Sequence, residues 1–291
     1  MPGHRADGQH GTGRGKHRRA NLREFFGLAL GQRLATEGRQ ADLIAANNVF
    51  AHVPDINDFT RGLKAALKQG GTITLEFPHL MQLIAQTQFD TVYHEHFSYL
   101  SLHTVQQILA AAGLRVLDVE MLPTHGGSLR VYGGHADDAR APSTAVKVLL
   151  QAEEDFGLRR VSTYLSFQAR ADAVKDSLVM FLIGQKRAGR SVAAYGAAAK
   201  GNTLLNYAGV RPDLLPFVCD AAPSKQGRYL PGSRIPVVAP AQLRASRPDV
   251  VLILPWNIAD EVREHHGYVR EWGGRFAVAV PEIRMLDHAG G

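Results

Sequence analysis

The stretch "SVAAYGAAAKGNTLLNYAG", Ser191 to Gly209, decides how the second half of the chain folds. It opens as a short apolar strand and runs through Gly196 straight into helical residues. Gly196 permits a tight turn. The helix opening near Lys200 offers free N–H groups, and a strand–glycine–helix junction of this kind can hold a phosphate. Further apolar runs follow at "PFVCDA" (216–221), "DVVLILP" (249–255) and "RFAVAVP" (275–281), with helical or loop segments between them. That alternation predicts a parallel sheet with helices on its faces.

Upstream, residues 141–190 read as mostly helical and amphipathic, including "VKVLLQAEEDF" and "FQARADAVKDSLVMFLIGQKRAG". They form a connector between two α/β units. The first element with a clear pattern is "ADLIAANNVFAHVPD" (41–55), in which Ala41 to Ala46 is a buried-strand run. "INDFTRGLKAALK" (56–68) sets Phe59, Leu63, Ala66 and Leu67 at helical spacing, and Gly70-Gly71 stops that helix. "TITLEF" (72–77) is a β-branched strand ended by Pro78. Ser101 and Gly113 cap a helix over 102–112. "LRVLDVEML" (114–122) and Leu129 to Tyr132 are strands close enough for an antiparallel hairpin.

Composition narrows the class. Hydrophobic content of 45% and charged content of 21% suit a globular protein of 291 residues, enough for two domains. No apolar run approaches the roughly 20 residues that span a bilayer, and the first residues have no apolar core, so no secretory signal is expected there. The single cysteine, Cys219, excludes an intrachain disulfide framework and a multi-cysteine zinc site. It lies on an apolar strand and reads as a buried thiol. A cytoplasmic enzyme or binding protein with no membrane partner is expected. Residues 1–20 carry five Lys/Arg and one Asp, which is +4 of the net charge of +6. The basic balance therefore reports a tail expected to be disordered, and no nucleic-acid partner is expected for the body.

The densest chemistry is "FDTVYHEHFSYLS", Phe89 to Ser101. It suits a metal site, an acid/base site, or a polar loop over a core. His94-Glu95-His96 lacks the i, i+4 histidine pair of HExxH. His94 and His96 would share a face of a strand, but no third ligand is identifiable, so no metal is expected.

"EFPHL", "QFDTVYHEHFSYLS", "PTHGGSLRVY", "AAYGAAAKGNTLLNYAG", "SKQGRYLPGSRIPV" and "LILPWNI" together resemble the sugar C-methyltransferases. The resemblance runs over roughly residues 21–287. It implies a fold of α/β class, with a partial class I methyltransferase sheet over 21–140, the connector over 141–190, and a Rossmann-like C-terminal domain over 191–291. It implies S-adenosylmethionine (SAM) as methyl donor and a dTDP-linked 4-keto-deoxysugar as substrate, methylated at carbon 3. It also implies a cysteine-built zinc segment and first strands with a glycine-rich SAM loop and a ribose-binding acid. This sequence has none of these and reads as N-terminally truncated. "GTGRGK" (11–16) follows no apolar strand and reads as tail. Strand 41–46 would then be an exposed apolar edge, open to self-association.

Methylating a carbon beside a ketone needs a base and a group that holds the enolate oxygen. The resemblance places the catalytic cluster on Tyr93, Glu95 and His96, with His52 brought in from the earlier strand. His96 is the expected base, and His52 an alternative base or a ketone polariser. Tyr93 would bond a sugar oxygen and Glu95 would orient a histidine. Asn47 and Asn48, at a strand's carboxyl end, are expected near SAM. His125 and Ser128, around Gly126-Gly127, either meet substrate or shape the hairpin. Gly196, Lys200 and Asn202 are expected at the diphosphate. Lys225 and Arg228 either add charge there or form a solvated basic loop. The alternative is an inactive sugar-nucleotide-binding fragment. A nucleotide-dependent oxidoreductase is disfavoured, because "GAAAKGN" does not match G-x-G-x-x-G.

Overall fold

Gly196 takes φ +94, and a Cβ there would lie 2.4 Å from Pro255 Cδ. Close approach of two strand ends is what demands the glycine. The computed structural model of the protein describes residues 22–286. The expected tail and "GTGRGK" lie outside the described residues.

Around Gly196 lies a six-stranded sheet. Its strands are β5 (Val192–Tyr195), β6 (Val218–Cys219), β7 (Val237–Val238), β8 (Val250–Ile253), β9 (Arg275–Val278) and β10 (Arg284–Leu286), in the order β10-β9-β8-β5-β6-β7. The pairs from β9 to β7 are parallel, as expected, but β10 runs antiparallel to β9. Neither β7 nor β10 is foreseen from the sequence, because two or three residues show no period.

Alternate residues of β5 and β8 enter opposite cores, which is why these strands are apolar throughout. Val192, Ala194, Val250 and Leu252 pack on α7 (Phe167–Arg187) and α8 (Ala199–Tyr207). Ala193, Val251 and Ile253 pack with Leu243 of α9 (Ala241–Ser246) and Val262 of α10 (Ala259–His265).

The N-terminal sheet contains β1 (Ala41–Asn47), β2 (Leu67–Pro78), β3 (Leu114–Leu122) and β4 (Ser128–His135) in the order β1-β2-β4-β3. β1 and β2 are parallel, and β4 is antiparallel to both β2 and β3. The expected hairpin is therefore present. Its core is built on Phe50, Phe77, Ile73, Leu129 and Val131, all fully buried. The helices α2 (Ile56–Ala66), α3 (Leu80–Ala85) and α4 (Leu102–Ala111) lie between its strands, and α5 (Thr144–Phe156) and α6 (Val161–Leu165) lead towards α7. Ser101 caps α4 by accepting from Thr104 N–H. The strand β1 is a sheet edge among the described residues, with Leu43 61% exposed.

Two local expectations are corrected. α2 does not run to Gly70; it ends at Ala66, because Leu67 already pairs with Ala41. Gly70-Gly71 instead lies in the irregular start of β2, where Ala41 meets Leu67 but Leu43 meets Thr72. A helix, α1 (Leu28–Thr36), also precedes the first patterned strand. It sits backbone against backbone on α2, where a Cβ on Gly31 would lie 2.4 Å from the Gly62 carbonyl oxygen.

Candidate active site

The carboxyl ends of β1 and β2 and the amino end of β4 share one edge of the N-terminal sheet. Asn47 pairs with Glu76, and Pro78 with Ser128. Just beyond β1, a turn over Phe50–His52 buries Phe50 completely and leaves His52 half-buried at that edge. The aromatic/histidine stretch folds back over this turn. Phe97 N–H and Ser98 N–H both donate to the Ala51 carbonyl, at 2.9 and 3.2 Å.

That return brings two imidazoles together, with His52 and His96 centroids 4.7 Å apart. Nδ1 of His52 donates to the Glu95 carbonyl at 2.9 Å, and Nδ1 of His96 donates to the Thr91 carbonyl at 2.7 Å. Both bonds fix the ring and its tautomer, so Nε2 carries the lone pair in each neutral ring. Tyr93 stacks on His96 at 4.4 Å, and Tyr99 meets it edge-on at 6.2 Å. Burial lowers the pKa of His96, and the neighbouring His52 and Lys200 add to that. Burial raises the pKa of Tyr93, helped by Glu95 and Asp90.

Opposite them stands the C-terminal sheet. β5 lies between β6 and β8, so the crevice at the carboxyl ends of β5 and β8 is the topological switch point where such folds take ligands. Lys200, in the first turn of α8, reaches across it. Its Nζ donates to Asn257 Oδ1 at 3.0 Å and to the His125 carbonyl at 3.3 Å, and lies 4.6 Å from the Trp256 ring centroid. Burial lowers its pKa. Lys200, His52, His96, Tyr93, His125 and Asn48 line one cavity of about 140 Å³. A larger hollow of about 750 Å³, between α4 and α5, contains none of them.

The two halves are tied at this place. Phe89 belongs to the C-terminal core, with its ring 5.2 Å from that of Tyr207. Trp256 Nε1 donates to Asp90 Oδ2 at 2.8 Å. Asp90 is fully buried, and burial pushes its carboxyl up to about 6. The folded-state pKa thus lies above the unfolded value of about 3.9. Stability is favoured below the unfolded pKa and is lost as pH rises through about 6. Asp90→Asn keeps an acceptor for Trp256 without a buried charge. It is expected to raise stability at pH 8 by up to about 3 kcal/mol and to change little at pH 4. Denaturant unfolding at both pH values checks this.

The turn before β4 is held in a demanding conformation. His125 and Gly126 have φ +57 and +88, and a Cβ on Gly126 would lie 2.3 Å from the Trp256 ring. Gly126→Ala is therefore expected to destabilise by about 1–3 kcal/mol and to spread the two halves. A melting curve and a fall in Trp fluorescence anisotropy at the interface would register both effects.

The other residues expected at the site fall in different places. Asn48 Nδ2 donates to His125 Nε2 at 3.1 Å, which puts both on the cavity wall. Asn47 is exposed at the end of β1. The Glu95 side chain is exposed, so it is the main-chain carbonyl of Glu95 that orients His52. Ser128 is 2% exposed and donates its hydroxyl to the Thr124 carbonyl, away from this cavity. The junction after β5 is already engaged. Gly196 N–H donates to the Cys219 carbonyl and Ala197 N–H to Asp220 Oδ2, which stands where an anion would. Asn202 lies within α8, half-buried, with Oδ1 lacking a protein partner. Lys225 is paired with Asp220 at 3.1 Å, and Arg228 is exposed. Neither lines the cavity.

Sequence reasoning did not single out Asp90, Thr91, Trp256 or Asn257. Trp256 and Asn257 follow β8 at the strand's carboxyl end, and that position was the available signal.

The fold defines an α/β protein with part of a class I methyltransferase sheet, followed by a Rossmann-like lobe that closes the histidine-bearing edge. A family model described as the C-methyltransferase C-terminal domain matches residues 123–281, and a methyltransferase-domain model matches residues 12–119. The chain belongs to the C-methyltransferase family that this C-terminal domain defines. It is 37% identical over 262 residues to the C-methyltransferase NovU of Streptomyces niveus, covering 90% of this chain and 62% of that protein. The chain thus spans less than two thirds of that relative's length. Among solved structures, magnesium protoporphyrin IX methyltransferase from Synechocystis PCC 6803 with bound SAH aligns over 34% of this chain and 47% of that one, at 14% identity and a TM-score of 0.27. No helix among the described residues is long and apolar enough to cross a membrane.

Proposed function

We propose that the protein takes part in SAM-dependent C-methylation of a dTDP-linked 4-keto-deoxysugar at carbon 3, through an enolate. The observation that carries this reading is the histidine pair. Two imidazoles, each with Nδ1 bonded to a carbonyl, share a cavity with a tyrosine and a lysine. Such a site can take a proton from carbon on an imidazole Nε2 and hold the resulting charge with the hydroxyl and ammonium donors beside it.

His96 is the base. Its neutral form is favoured by burial, so Nε2 is ready to accept a proton near neutral pH. Stacked Tyr93 fixes the ring and offers a hydroxyl to the sugar. His52, whose Nε2 carries the lone pair while Nδ1 donates to the Glu95 carbonyl, accepts from a neighbouring sugar hydroxyl. The lobe bearing Lys200 and Trp256 closes the cavity and limits water around the developing charge.

SAM, when bound, supplies an electrophilic methyl group. The carboxyl end of β1, with Asn47 and Asn48, is read as one side of its site. The described residues do not complete a holder for the donor, and no step is assigned to them through it. The free edge of β1 is read as a self-association edge, which sedimentation at several protein concentrations tests.

Methyl transfer from labelled SAM to a dTDP-4-keto-sugar tests the function directly. Binding of dTDP-sugar with neither SAM binding nor turnover would leave a sugar-nucleotide-binding module instead. The pH profile is a further expectation. Activity requires neutral His96, whose pKa is lowered. The acid limb of kcat/KM is therefore expected below the ordinary histidine value of about 6.5, with activity rising as pH increases through it.

A further inference from the structure

We propose that Lys200 donates the hydrogen bond that holds the ketone oxygen while the adjacent carbon loses its proton, and does not serve as a diphosphate ligand. The proposal rests on the enolisation reading above.

An ammonium group has three N–H donors. In Lys200 one goes to Asn257 Oδ1 at 3.0 Å and one to the His125 carbonyl at 3.3 Å. The Trp256 ring covers the group at 4.6 Å. The third donor remains for the cavity that Lys200 shares with His52 and His96. Both anchors are neutral oxygens, and no ion pair of Lys200 occurs among the described residues. Asp90, whose charge acts on Lys200, has its Oδ2 bonded to Trp256 Nε1. The charge is thus pinned in place without being neutralised by contact.

This arrangement suits charge that develops during reaction. A fixed cation in a water-poor cleft acts most strongly on an oxygen that becomes negative in the transition state. A diphosphate is negative throughout, so binding it there would favour substrate and transition state alike. The bond changes are simple. The carbon–hydrogen bond beside the ketone breaks and its proton passes to Nε2 of His96. The freed electron pair forms the carbon–carbon double bond, and the carbonyl π pair moves onto the oxygen that Lys200 meets. Asn257 and Trp256 are positioning residues, since they act through Lys200.

The test separates this step from methyl transfer. A dTDP-linked 4-keto-deoxyhexose is incubated with the protein in D2O without SAM, and deuterium entry at the carbon beside the ketone is followed by NMR. Calorimetry gives the affinity for dTDP in parallel. Lys200→Met is expected to slow exchange by about 100- to 1,000-fold, with dTDP affinity unchanged within about twofold. Lys200→Arg is expected to recover part of the exchange, which a folding defect would not produce. Asn257→Ala keeps the ammonium but unties it, and is expected to slow exchange by about tenfold.

Wild-type exchange rates in Lys200→Met would overturn the role of Lys200 and leave the enolisation reading standing. Weakened dTDP binding, with normal exchange at saturation, would assign Lys200 to the diphosphate and overturn the proposal. If Lys200→Met does not fold, undiminished exchange in Asn257→Ala overturns it. Wild-type protein that exchanges no deuterium overturns the enolisation reading and the proposal with it.

Discussion

His96→Ala is expected to lose methyl transfer, and deuterium exchange at the carbon beside the ketone, by about 100- to 10,000-fold, the range of a removed general base. Stability should change little, because His96 is only half-buried and its ring makes one hydrogen bond, to the Thr91 carbonyl. His52→Ala is expected to fall less, since His52 is assigned to a neighbouring sugar hydroxyl and not to the proton. The two rings lie only 4.7 Å apart, so the comparison decides between them. A larger loss in His52→Ala would exchange their roles. Full activity in both variants would remove the histidine pair from the chemistry.

Glu153→Ala should give the largest loss of stability. Glu153 is 2% exposed, on α5. Oε1 accepts from His79 Nε2 at 2.8 Å and from Leu102 N–H at 2.6 Å, while Oε2 accepts from His103 N–H at 2.9 Å. One carboxylate thus joins the end of β2, the amino end of α4 and the body of α5. Removing it strands two buried donors and one half-buried one, at a cost of about 3–5 kcal/mol. For a chain of this size that is on the order of 10 °C in Tm. Glu153→Gln keeps one acceptor and should lose less.

The same residue carries a pH signature. Burial raises its pKa, but the bonds from His79, His103 and Leu102 outweigh that and leave it lowered. Its stabilisation is therefore complete above the unfolded carboxylate value of about 4.3 and is lost as pH falls through the lower folded value. The acid-side loss of stability should be smaller in Glu153→Gln than in the wild type. Equal acid profiles would remove Glu153 from this role.

Much of the fold was legible because it rests on neighbours in the chain. The strand–glycine–helix passage at 192–207, the Ser101 cap and the hairpin of β3 and β4 each follow from local pattern. α1 was missed because what seats it is close contact of Gly31 with Gly62, thirty-one residues away. The end of α2 was misplaced because pairing of Leu67 with Ala41 ends it before the glycines do.

The candidate site divides in the same way. Sequence by itself determined the α/β class, the histidine-rich stretch and the family resemblance, since these depend on residue type and on order along the chain. Only the tertiary structure decided that Lys200 stands with His52 and His96, that the Glu95 carbonyl does the orienting, and that Asp220 takes the place expected for an anion. The physical reason is distance along the chain. His52 bonds a residue 43 positions away, Lys200 one 75 positions away, and Trp256 one 166 positions away. Phe89 is buried in the core of the opposite lobe, and no local period encodes that docking.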